Sequence, residues 1–138
     1  MLECLILGDS IASGIHHVKP DCIGITEIGV NSGDWYHKNR QRPLITDVDY
    51  RYVVISLTTN DLNVRNAREN VHRIRKAVRS ERVIWILPGD KRPEMRSMIE
   101  DVANFYGDYL MDITDYVGAD RIHPPTVRAY ENIAKKIK

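Results

Sequence analysis

Four short blocks of this chain carry residue types that do chemistry when brought together. Gly8-Asp9-Ser10 follows the first apolar run and Asn31-Ser32-Gly33-Asp34 follows the second. Thr58-Thr59-Asn60-Asp61 follows the third, and Asp120-Arg121-Ile122-His123-Pro124 lies far down the chain. A serine hydroxyl is a weak nucleophile until a base takes its proton. A histidine held by a carboxylate is the usual base. Ser10, His123 and Asp120 therefore read as nucleophile, base and orienting acid, with Asp112 and Asp115 as rival carboxylates. Asp120 and His123 are three residues apart, so one turn brings them together.

The elements that must position these residues follow from apolar patterning. Five runs read as strands: 2–7, 22–30, 52–57, 82–87 and 109–112. The third and fourth are continuous rather than alternating, which suits strands covered on both faces of a parallel sheet. Helical periodicity falls between them, over 11–18, 63–80, 93–106 and 126–137. The polar stretch 31–47 reads as a loop with one short helix over 35–40. Strand and helix alternate five times, which predicts an α/β fold: a three-layer α/β/α sandwich, flavodoxin-like, with five parallel strands. Residues 1–138 form one domain in this reading. Ligands collect at the carboxyl ends of the strands in such sheets, and all four polar blocks fall there.

With that order and spacing, Gly8-Asp9-Ser10, Gly33, Asn60 and Asp120-x-x-His123 resemble the four blocks of the SGNH (GDSL-like) hydrolase superfamily. The resemblance spans nearly the whole chain, and the stretch from Asp120 through Tyr130 to Ile133-Ala134 is similar to the last block. It implies an ester hydrolase that forms an acyl-enzyme on Ser10, with His123 as general acid–base and Asp120 behind it. It also implies an oxyanion hole made of the Ser10 N–H, the Gly33 N–H and the Asn60 side-chain amide. Each has a physical rationale. A helix N-terminus favours a developing negative charge, glycine admits close approach to the backbone, and an amide is a neutral donor that can be aimed. No cofactor and no metal are implied. The partner is an ester substrate, with an acylated carbohydrate or cell-wall polymer preferred; a phage-type or accessory envelope enzyme is suggested by analogy. One departure stands out: Thr58 occupies the glycine of the family's Gly-x-Asn-Asp block.

Composition narrows the alternatives. The 138 residues include 20 basic and 19 acidic side chains, a formal net charge of +1, so no global field draws nucleic acid. The arginine-rich stretch 65–82 reads as the solvated face of a helix. No stretch reaches membrane-spanning length, and Leu2–Leu7 is too short for a signal peptide, so a cytoplasmic protein is expected, with release or export by another protein open. Cys4, inside an apolar run, reads as a small buried residue; a bridge to Cys22 requires their strands to be neighbours, and the two are expected to stay unbridged. Asp9 and Asp61 read as loop-holding groups, and Asn60 as either an oxyanion donor or a helix cap. Gly29 rivals Gly33. Trp35 and Tyr36 are either a substrate wall or packing beneath a loop. His16, His17, His37 and His72 are expected at the surface. The competing class is a degenerate esterase fold, or a flavodoxin-like binding module. A phosphoacceptor receiver would want a lysine after the fifth strand, where the chain reads Met111-Asp112-Ile113-Thr114-Asp115.

Overall fold

In the computed structural model, which describes residues 1–137, five parallel strands form one sheet in the order β2-β1-β3-β4-β5. They are β1 (Leu2–Gly8), β2 (Ile23–Thr26), β3 (Asp49–Ser56), β4 (Arg79–Ile86) and β5 (Tyr109–Met111). The helices are α1 (Ser10–Val18), α2 (Ser32–Asn39), α3 (Pro43–Thr46), α4 (Val64–Ala77), α5 (Pro93–Tyr106) and α6 (Val127–Lys136), with a 3-10 turn over Thr114–Tyr116. This is the three-layer, flavodoxin-like arrangement expected from the alternation of strand and helix.

The continuous apolar runs split between two cores because successive side chains point to opposite faces. Leu5 and Leu7, Val53 and Ile55, and Val83 and Trp85 face one core, closed by α2, α4 and α5. Cys4 and Ile6, Tyr52 and Val54, and Ile84 and Ile86 face the other, closed by α1 and α6. Both layers are needed to cover strands that are apolar on every residue. On α4, Ala67, Val71 and Ile74 are buried. Arg65, Arg68 and Arg73 are exposed, Arg68 pairing with Asp101, whereas Arg75 is mostly covered and pairs with the buried side chain of Asp108.

Several boundaries differ from expectation, and each has a local cause. The second strand stops at Thr26 rather than running to Val30, because Gly29 (φ +79°) turns the chain. The fourth strand starts at Arg79, inside the stretch expected to be helical. There the strand pairing places Arg79 against Asp49, and the two side chains meet at 2.8 Å. The short helix expected over 35–40 begins at Ser32, because the Asn31 side chain accepts the Asp34 N–H at 2.8 Å and caps it three residues early.

The expectation for the cysteines is overturned: Cys4 and Cys22 form a disulfide. Leu5 pairs with Ile23 across the β1–β2 ladder, so the preceding residues, Cys4 and Cys22, also lie side by side, with Cα atoms 4.8 Å apart. A flavodoxin-like sheet makes β1 and β2 neighbours, but the register that sets the two thiols side by side is not legible in sequence. The loop the bridge closes contains all of α1 and Ser10.

Candidate active site

The strand order reverses direction between β1 and β3, whose connections leave toward opposite faces of the sheet. The carboxyl ends of such a strand pair open a crevice. β1 ends there at Gly8, with φ +139°; a Cβ at this position would lie 1.8 Å from the Ser56 carbonyl oxygen. Only glycine lets the chain leave the sheet this close to β3. Asp9 then caps α1, accepting the Ile11 N–H at 3.0 Å and the Ser56 hydroxyl at 3.1 Å. Asp9 is fully buried and its Oδ2 has no partner among the described residues. Burial pushes its carboxyl up to about 6, against the pull of those hydrogen bonds. Asp9 thus holds a loop, as expected, and delivers Ser10 as the first residue of α1.

The Ser10 Oγ lies 3.0 Å from the His123 Nε2. The His123 Nδ1 lies 2.8 Å from the Asp120 Oδ2, which fixes the tautomer: Nδ1–H donates to the carboxylate and Nε2 is left to accept the serine proton. The other oxygen of Asp120 accepts the backbone N–H groups of Ile122 and His123, both at 2.9 Å. Those backbone bonds, His123 first, and then the histidine side chain hold the Asp120 carboxyl down to about 2. The rival Asp112 is taken by Arg96 and by the Thr114 hydroxyl and N–H. No hydrogen bond joins Asp115 to His123.

The turn carrying Asp120 and His123 is strained and braced. Arg121 has φ +61°. Its carbonyl oxygen lies where a side chain at Gly89 would be, 2.3 Å from the Cβ position. Ile122 is buried in the α1/α6 core, and the His123 carbonyl accepts the Gly118 N–H at 2.9 Å. Gly89 was not legible as a site residue, because its requirement comes from a neighbour 32 positions away in sequence, Arg121.

The two further donors expected of an oxyanion hole follow β2 and β3. Gly33 lies in the first turn of α2, where backbone N–H groups have no intrahelical acceptor. Asp61 ties the two blocks together: its oxygens accept the Ser32 N–H at 2.9 Å and the Ser32 hydroxyl at 2.5 Å. Asn60 is exposed and gives one amide hydrogen to the Val30 carbonyl at 3.1 Å, leaving the second free. Asn60 does not cap the following helix; Asn63 does, accepting the Asn66 N–H. Gly33 and Asn60 line one groove of about 330 Å³.

Thr58, where the family resemblance puts glycine, adopts φ +88° and is completely buried, with no partner for its hydroxyl. A β-branched residue in that region costs on the order of 1–3 kcal/mol. The turn is kept all the same, with the Thr58 carbonyl accepting the Asp61 N–H at 3.1 Å. The chain thus preserves the glycine-type backbone without the glycine.

Trp35 is packing: it is 1 % exposed and donates its Nε1–H to the Ile25 carbonyl at 2.9 Å. Among the histidines, His17 and His37 are exposed, whereas His16 and His72 are partly covered, bonded to the Cys22 carbonyl and the Tyr106 hydroxyl. A separate cavity of about 400 Å³ lies at the far sheet edge beside Arg82, Tyr109 and Lys136, away from Ser10. Among the described residues no helix is long and apolar enough to cross a membrane, and no cluster of metal-ligating side chains occurs.

No protein-family model matches the chain, and a search of curated proteins finds no significant match. Solved structures do match along nearly its whole length. A lipase/acylhydrolase from Enterococcus faecalis superposes with a TM-score of 0.73 at 21 % identity, covering 98 % of this chain and 92 % of that one. The C-terminal catalytic domain of a peptidoglycan O-acetyltransferase from Streptococcus pneumoniae gives 0.61 at 16 % identity, with 99 % and 90 % covered. An esterase of the SGNH-hydrolase family gives 0.58 at 15 %, with 98 % and 92 % covered. The fold is therefore that of the SGNH hydrolases. At these identities the likeness speaks to architecture, and the chemistry rests on this chain's own residues.

Proposed function

We propose that the protein is a serine ester hydrolase working through an acyl-enzyme on Ser10. The observation that carries this reading is the unbroken relay from the Ser10 Oγ to His123 at 3.0 Å and on to Asp120 at 2.8 Å. Ser10 attacks the ester carbonyl carbon as its proton passes to the His123 Nε2. The C–O bond to the alcohol breaks, and the alcohol leaves with that proton. Water then attacks the acyl-serine and gives a proton to Nε2, which passes it to the Ser10 Oγ as the carboxylic acid departs. Asp120, held ionised by two backbone N–H groups, stabilises the imidazolium at each step. The Ser10 and Gly33 N–H groups and the free amide hydrogen of Asn60 receive the oxyanion.

The preferred substrate is an O-acetyl ester on a glycan or cell-wall polymer. The fold match to a peptidoglycan O-acetyltransferase domain supports it. The Cys4–Cys22 bridge favours a working location in an oxidising compartment.

Hydrolysis of p-nitrophenyl acetate tests the reading. Ser10→Ala and His123→Ala are each expected to lower kcat about 10⁴-fold or more. Asn60→Ala is expected to lower it roughly 10²–10³-fold. Equal rates for the wild type and all three variants would end the proposal.

A further inference from the structure

The groove lined by Gly33 and Asn60 runs along the N-terminal half of α4, where Asn63, Asn66 and Asn70 follow one another at spacings of three and four. Residues so spaced share one helix face. The groove wall is thus a stripe of side-chain amides, and five of the eight residues lining the groove are asparagine. An asparagine offers one acceptor oxygen and two donor hydrogens. Much of that capacity is unspent. Asn63 uses only its oxygen, on the Asn66 N–H. Asn70 gives one hydrogen to the Ser32 hydroxyl at 3.3 Å. The Asn66 side chain makes no hydrogen bond among the described residues. Asp61, the single charged group of the groove, has both oxygens occupied by Ser32. At the lip, Leu62 is wholly exposed.

We infer that this groove is a subsite for a neutral, hydroxyl-rich glycan. Vicinal hydroxyls match paired amide donors and acceptors, and the C–H face of a sugar ring matches Leu62 and the asparagine methylenes. A free cation to attract an anionic ligand is lacking in the lining. A fatty acyl chain would strip water from three amides without replacing their hydrogen bonds. The volume, about 330 Å³, falls in the range of ligand sites. The inference rests on the esterase reading only for its orientation, with the glycan entering beside the oxyanion donors; binding itself needs no turnover.

The test uses ¹⁵N-labelled Ser10→Ala protein titrated with tetra-N-acetylchitotetraose, followed through the asparagine side-chain amide signals. Saturable shifts of the Asn66 and Asn70 amides are expected, with Asn66→Leu in the same background weakening Kd at least tenfold while the melting temperature holds. Unmoved asparagine signals, an unchanged Kd in the Asn66→Leu protein, or shifts produced by hexanoate instead of the tetrasaccharide would each overturn it. Because this protein lacks the nucleophile, the result stands or falls separately from the p-nitrophenyl acetate assay.

Discussion

Two aspartates flank the chemistry and are pushed in opposite directions. Asp120, half-exposed, is stabilised as a carboxylate by backbone N–H groups, down to about 2. Asp9, one residue before Ser10, is buried and raised to about 6 from an ordinary value of 3.8. The consequences for stability have opposite signs. Asp120 stabilises the fold above about pH 4 and loses that contribution as pH falls toward 2. Asp9 binds its proton more tightly when folded, so its contribution is complete below about pH 4 and is lost as pH rises through about 6. For a fully buried carboxyl, a rise of that size corresponds to on the order of 3 kcal/mol. Urea denaturation at pH 4, 5, 6 and 7 should therefore show the wild type losing stability relative to Asp9→Asn between pH 4 and 6. A pH-independent difference between the two proteins would contradict this picture of Asp9.

At the scale of elements, the site depends on turns that approach one another closely. The Asp120–His123 turn rests against Gly89, where even a methyl group would meet the Arg121 carbonyl at 2.3 Å. Gly89→Ala must displace backbone, and the displacement passes directly to the residues that hold His123. Misplacement by about 1 Å can cost about 10²-fold in rate. The variant is therefore expected to lose roughly 10–10²-fold in kcat, with KM for p-nitrophenyl acetate little changed; a loss confined to KM would count against it. This dependence marks the boundary of what was legible in sequence. Ser10, His123 and Asp120 were readable because a nucleophile, a base and an acid have few substitutes, and because apolar runs placed each at a strand end. Gly33 was readable as an oxyanion donor through the resemblance but was placed in a loop, since the Asn31 cap that starts α2 competes with ordinary turn chemistry. Gly89, the asparagine stripe of α4 and the residues facing one another across β1 and β2 depend on tertiary neighbours, which periodicity does not encode. Thr58 shows the same limit from the other side. The residue departs from the resemblance, yet surrounding hydrogen bonds keep its backbone at φ +88°.

For the whole molecule, the sheet provides a rigid floor and the disulfide ties the start of its edge strand β2 to the neighbouring β1. The bridge spans 18 residues and encloses α1 with Ser10. Closing a loop of that size stabilises a fold by about 3 kcal/mol in the chain-entropy account. Replacing both cysteines by serine, or reducing the bridge, should lower the urea midpoint by on the order of 1–2 M. Catalysis at 25 °C should persist, because neither cysteine is bonded to Ser10, His123 or Asp120. An unchanged midpoint would show that the bridge does not hold the fold. The proposal is that Ser10, His123 and Asp120, brought together from opposite ends of the chain, act as a single nucleophilic site. Intact-protein mass spectrometry after treatment with a fluorophosphonate tests it most directly. The account predicts one covalent adduct on the wild type, mapped to Ser10, sharply slowed in His123→Ala and absent in Ser10→Ala. A wild type that takes up no adduct, or a Ser10→Ala protein labelled as fast as the wild type, would contradict it.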